Sequence, residues 1–129
     1  MVEHESPYFW APTILLVEDD ELVMEVTRSM LEINGYRVVS TFLPSVALNL
    51  VTRGDLAVDL LVTDVVMPQM NGPELYRRIQ KQKPDLPVLY ISGYSGEVIN
   101  GIMEDKNVDV LSKPFALASF LERIEKKFA

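Results

Sequence analysis

Leu60-Leu61-Val62-Thr63-Asp64-Val65-Val66-Met67-Pro68-Gln69-Met70-Asn71-Gly72 is the stretch whose reading decides the fold. An apolar run long enough to be a buried strand ends in a single carboxylate, and Met-Pro and Asn-Gly turn signals follow at once. A lone acid ending a buried parallel strand belongs at the C-terminal edge of a sheet, where open α/β folds place their chemistry. The first predicted strand, Ile14-Leu15-Leu16-Val17, also runs into acids: Glu18, Asp19 and Asp20. Two neighbouring strands that end this way aim several carboxylates at one point. Carboxylates left unneutralised repel one another, so the cluster points to a divalent-cation site.

Composition narrows the function further. A chain of 129 residues is sized for one domain with a real core. Its 48% hydrophobic content argues against disorder. A formal charge of −7 argues against direct nucleic-acid binding, because phosphates must be met by clustered Lys and Arg. With no cysteine, disulfides, thiolate metal sites and cysteine nucleophiles are all removed. No apolar run approaches the roughly 20 residues of a membrane span, and no signal peptide is visible. The expectation is a soluble cytoplasmic domain without membrane contact from this chain.

Residues 1–12 lack periodicity and read as a tail or linker, leaving 13–129 as the folded domain. The tail holds Tyr8-Phe9-Trp10, read either as a docking patch or as a segment that folds back. It also holds His4, the only histidine, which argues against a histidine base. Beyond the tail the pattern alternates strand and helix five times. Strands are expected at about 13–17, 36–42, 59–63, 86–91 and 108–111. Helix one is expected at about 20–34, with Leu22, Val26, Met30 and Ile33 on one face and Asn34-Gly35 as its stop. Helix two begins at Pro44 and ends at Gly54; helix three starts at Pro73 and ends before Pro84. Helix four, about 95–105, is weakened by Gly96 and Gly101. Helix five, about 115–128, places Leu117, Phe120, Leu121, Ile124 and Phe128 at helical spacing. Apolar strands interleaved with helices mean a five-stranded parallel sheet covered on both faces, a doubly wound (βα)5 fold of the flavodoxin-like order 2-1-3-4-5.

Five features in this order resemble the receiver domain of response regulators, the phosphoacceptor of two-component phosphorelays. They are Glu18-Asp19 after strand one, Asp64 with Met67-Pro68 and Gly72, Ser92 ending strand four, and Lys113-Pro114-Phe115 after strand five. The resemblance covers about residues 13–129. It implies that Asp64 is the nucleophile that becomes an acyl phosphate, and that Glu18, Asp19, Asp64 and the backbone carbonyl of Val66 hold Mg²⁺, Glu18 through water. It further implies that Ser92 bonds the phosphoryl oxygen, that Lys113 pairs with the phosphoryl group and Asp64, and that the Lys113-Pro114 peptide is cis. Simpler roles stand beside these: Ser92 closing a turn with Gly93, and Lys113 as a structural counter-ion. Asp20 is read as the cap of helix one, with an Asp19-Asp20 metal pair as the alternative.

The implied partner is a sensor histidine kinase or phosphotransfer domain whose phosphohistidine is the donor. The implied role is regulatory rather than enzymatic, although the full-length protein could be a histidine kinase. The output face runs from helix four to helix five, with a homodimer through those helices as a further option. Val110 stands where many receivers carry an aromatic toggle, which shifts the expected signal to the backbone of 93–105. Ile99, Ile102 and Met103 are not all expected in the core, leaving part of that face for a partner. Nothing in the chain after helix five leaves room for an output domain. It reads as a single-domain regulator or as part of a hybrid histidine kinase, and the Leu89–Tyr94 stretch resembles receivers of the second kind. A dehalogenase-type phosphotransferase would need an acid where Val66 stands, and an FMN binder would be repelled by Glu18-Asp19-Asp20. A phosphorylation-independent interaction module remains the alternative, although such modules are expected to lack some of the five features.

Overall fold

A computed structural model describes residues 11–54, 56–103 and 108–128. His4 and the Tyr8-Phe9-Trp10 trio lie outside the described residues. Strands and helices alternate: β1 (Thr13–Val17), α1 (Glu21–Ile33), β2 (Arg37–Thr41), α2 (Pro44–Thr52), β3 (Leu60–Asp64), α3 (Gly72–Gln80), β4 (Val88–Ser92), α4 (Gly96–Ile102), β5 (Val110–Ser112) and α5 (Leu117–Lys127). All strands pair in parallel in the order β2-β1-β3-β4-β5. Boundaries differ from the sequence expectations by a residue or two at most ends, as fraying termini do. Asp64 and Ser92 are the last residues of their strands, in keeping with their reading as strand-ending residues.

The strands are buried because both faces are covered. Along β1 and β3 the side chains alternate between two cores. Leu15, Val17 and Leu61 join Ala47, Leu75, Ile79 and Tyr90 on the α2–α3–α4 side. Ile14, Leu16, Leu60 and Val62 join Met24, Leu31, Phe120 and Ile124 on the α1–α5 side. Register then lines up the functional ends. Asp64 is opposite Ile91 and Ser92 is opposite Ser112, so every acid-bearing or hydroxyl-bearing strand terminates on one edge.

Local signals hold the helices in place. Asp20 caps α1, its carboxylate accepting from the Val23 amide at 3.0 Å, and Asn71 caps α3 by accepting from the Glu74 amide at 2.9 Å. Pro44 opens α2 at its first turn.

One expectation about a helix face is corrected. The stripe Leu22-Val26-Met30-Ile33 does not face the core of α1. Leu22, Val26 and Ile33 are 73%, 51% and 82% exposed, Met30 only flanks the core, and Met24, Thr27 and Leu31 are buried instead. Both sets have helical spacing. The turn from β1 through the Asp20 cap sets the phase of the helix, and that phase turns the less apolar stripe inward. In α4 Ile99 and the following Met103 are buried while Ile102 is only partly buried against the same core, so the three are not all core, as expected. The exposed apolar residues there are Tyr94 and Val98. No helix among the described residues is long and apolar enough to cross a membrane.

Candidate functional site

Four strand ends build one cleft of about 310 Å³ at the C-terminal edge of the sheet. Its walls include Glu18, Asp19 and Asp20 after β1, Asp64 and Val66 from the end of β3, Ser92 and Tyr94 from β4, and Lys113 after β5. Every site residue expected from the sequence is therefore in one place. Carboxylate oxygens of Glu18, Asp19 and Asp64 lie within 4.8 Å of one another. Asp20 lines the same cleft, but its carboxylate is engaged in capping α1.

Depth separates the three acids. Glu18 is fully buried, Asp64 nearly so, and Asp19 is exposed. The Lys113 ammonium reaches between the two buried ones, 2.7 Å from Glu18 Oε1 and 2.8 Å from Asp64 Oδ1. Glu18 Oε2 also accepts the Asp20 amide at 3.1 Å. The Lys113 amide donates to the Ser92 carbonyl at 2.7 Å, and the Lys113–Pro114 peptide is cis. The counter-ion role foreseen for Lys113 is thus present in the structure. Ser92 also closes its turn, with Oγ accepting the Tyr94 amide at 3.0 Å.

One cation does not neutralise this corner. Burial, then the hydrogen bond to Glu18 and the charge of Glu18, push the Asp64 carboxyl up to about 9, against the opposing pull of Lys113. At Glu18 burial also favours the neutral form. Hydrogen bonds from Asp64, Lys113 and the Asp20 amide outweigh it and hold the carboxyl below its ordinary value. Burial would discharge Lys113, yet its two carboxylate partners keep its pKa above the ordinary value. Burial and mutual repulsion thus push Asp64 toward its protonated form, while Glu18 is held toward its ionised form. An all-oxygen donor set that must take up a proton in place of a second positive charge fits a hard dication such as Mg²⁺.

The sequence reads Gly72 as a turn residue and as part of the motif around Asp64, and its contact shows more. A Cβ built on Gly72 would lie 2.2 Å from the Asp64 carbonyl oxygen. The Gly72 amide donates to the Val65 carbonyl at 2.8 Å, and the Thr63 hydroxyl donates to the Asp64 carbonyl at 3.1 Å. The loop after β3 is thus folded tightly back on the strand end that presents Asp64. The Asn71-Gly72 pair carried a signal for this closeness, but only the fold reveals what it approaches.

Comparison with known proteins agrees with this arrangement. Residues 14–125 match the response regulator receiver domain family. The chain is 37% identical over 114 residues to the response regulator receiver protein CpdR of Brucella abortus, covering 88% of this chain and 93% of that one. It is 32% identical over 126 residues to the sensor kinase CckA of the same organism, covering 97% of this chain but 13% of the kinase. A response regulator receiver protein from Sinorhizobium medicae superimposes with a TM-score of 0.81 at 26% identity, over 92% of this chain and 94% of that one. The receiver domain of the hybrid histidine kinase CckA does so at 0.76 and 30% identity, over 91% and 99%. With the match spanning most of its length, the chain belongs to the response regulator receiver domain family.

Proposed function

We propose that residues 13–129 act as a phosphoacceptor and that Asp64 takes the phosphoryl group from a phosphohistidine on a sensor histidine kinase or phosphotransfer domain. One observation carries this reading: the most buried strand-end aspartate sits 2.8 Å from a lysine, among acids whose oxygens lie within 4.8 Å of one another. In the transfer, an Asp64 carboxylate oxygen forms a bond to phosphorus while the bond from phosphorus to the donor imidazole nitrogen breaks. Lys113 meets the charge on the incoming oxygens. Glu18, Asp19, Asp64 and the Val66 carbonyl would hold Mg²⁺, which when bound neutralises charge on the phosphoryl oxygens and on the acids. Ser92 Oγ already accepts the Tyr94 amide, which leaves its O–H free to donate to a phosphoryl oxygen. Conversion of Asp64 to an acyl phosphate would draw in the β4–α4 loop and bias the face from α4 to α5.

Incubation with acetyl phosphate and Mg²⁺ is expected to add one phosphoryl group by intact mass, and chelator or Asp64→Asn to abolish the gain. An unchanged mass with both reagents present would leave the phosphorylation-independent interaction module in its place.

The lifetime of the phosphoryl group follows from the cleft mouth. Hydrolysis needs a water aligned opposite the leaving carboxylate. Val66 and Tyr94 line that cleft. Valine offers no hydrogen bond to a water, and the Tyr94 ring is large enough to cover the phosphoryl group. Self-dephosphorylation is expected to be slow, with the signal ended by a partner. Val66→Asn is expected to speed decay about tenfold, the scale of one positioned hydrogen bond. Loss of label from donor-free phosphoprotein measures it, and an unchanged or slower decay would refute water exclusion.

A further inference from the structure

Gln69, in the loop after β3, is a non-glycine residue with φ +75°. The Met70 amide donates back to the Pro68 carbonyl at 2.9 Å, so Gln69 is the centre of a three-residue turn of the strained hand. Such a conformation persists only where its surroundings hold it. What holds it is visible across the loop. Gln69 Oε1 accepts the Ser45 amide at 3.2 Å, at the second position of α2. The first amides of a helix lack partners within the helix. The cap residue of α2 is Leu43, which has no side-chain acceptor, and Pro44 has no N–H. Gln69 therefore caps α2 from another loop.

The other end of that shoulder is tied to the acids. The Glu18 amide donates to the Thr41 carbonyl at 3.2 Å, and the Leu43 amide bonds Thr41 Oγ1 at 3.2 Å. The β2–α2 connection is thus held on one side by the residue that begins the acidic run and on the other by the loop that begins at Asp64. It carries the half-exposed Phe42 and Leu43, and the first turn of α2 carries the half-exposed Val46.

We propose that Gln69 is a positioning residue: its strained turn and its bond to the Ser45 amide latch the Asp64 loop to the start of α2, so that occupancy of the acidic cleft is transmitted to the β2–α2 shoulder. This rests on the phosphoacceptor reading and adds an output route separate from the α4–α5 face. Movement of the loop on phosphorylation changes the latch, and the Ser45 amide reports it.

The test is residue-resolved amide exchange on the full chain, with and without beryllofluoride and Mg²⁺ as the phosphoryl mimic. Gln69→Ala keeps the Cβ at the strained position but removes the acceptor. It is expected to speed Ser45 exchange roughly three- to tenfold, the worth of one hydrogen bond. Gln69→Glu restores an acceptor suited to a helix N-terminus and is expected to return the protection. In the native protein the mimic changes Ser45 exchange at least about twofold, and in Gln69→Ala that change is lost while Ser92–Tyr94 still respond. A response at Ser92–Tyr94 with none at Ser45, or an undiminished Ser45 response in Gln69→Ala, overturns the latch alone. No response at either place overturns the phosphoacceptor reading and the latch with it.

Discussion

Gly72→Ala is expected to destabilise the protein by about 3 kcal/mol or more, which for a domain of this size lowers the melting temperature by on the order of 10 °C. The added methyl would sit 2.2 Å from the Asp64 carbonyl oxygen and 3.3 Å from Thr63 Cγ2, and the nearer of these is backbone. Backbone at the end of a fully buried strand has no rotamer to retreat to. Either α3 is pushed away, which breaks the bond from the Gly72 amide to the Val65 carbonyl, or the end of β3 shifts and carries Asp64 with it. Both routes spoil the site, so phosphoryl uptake should fall along with stability. Gly101→Ala is the control. Nothing lies within 4 Å of its added methyl, and an alanine inside a helix stabilises it by about 0.5–1 kcal/mol over glycine. Thermal melts of the two variants measure the contrast. A loss at Gly72→Ala of less than about 2 °C would mean that the close approach is not real.

Glycine 72 also marks where sequence reading stops. Strand ends were legible because a buried run must exclude charge, so the first acid after Val17 and the acid closing Leu60–Thr63 announce the sheet edge by themselves. Handedness and strand count left few sheet orders, of which the flavodoxin-like 2-1-3-4-5 was the leading one. The phase of α1 was not legible, since Leu22-Val26-Ile33 and Met24-Thr27-Leu31 are both helical stripes and hydrophobicity favours the wrong one. Which of the acids is deepest was equally hidden: Glu18 and Asp19 are neighbours in sequence, yet β1 turns one into the cleft floor and leaves the other in solvent. The Gln69 link to Ser45 spans 24 residues and depends on a backbone angle, for which a glutamine gives no compositional hint.

Asp64→Asn is expected to stabilise the metal-free protein at alkaline pH while removing the proposed phosphoacceptor. The folded Asp64 carboxyl titrates near 9 rather than 3.8. Between those values the folded chain keeps a proton that the unfolded chain has released, so stability falls as pH rises across the window. Glu18 runs the opposite way. Its folded value is below 4.5, so its contribution is complete above that pH and is lost as the pH falls through it. Chelator-treated native protein should therefore be most stable at about pH 5 and lose on the order of a few kcal/mol by about pH 8.5. In the asparagine variant the amide N–H₂ is expected to donate to Glu18 where the shared proton stood, and the Asp64 titration is gone. Its melting temperature should vary little over that range and exceed the native value by roughly 5–10 °C at the alkaline end. A buried cluster of like charge such as this one thus costs fold stability. Added Mg²⁺ competes with the proton, so the stabilisation it confers on native protein should grow with pH and should shrink in Asp19→Ala. Melts at pH 5.5, 7 and 8.5, with chelator and with Mg²⁺, separate the claims. A native melting temperature that holds or rises toward alkaline pH in chelator would overturn the shared proton. A Mg²⁺ shift that survives Asp19→Ala would overturn the ligand assignment and leave the proton pair standing.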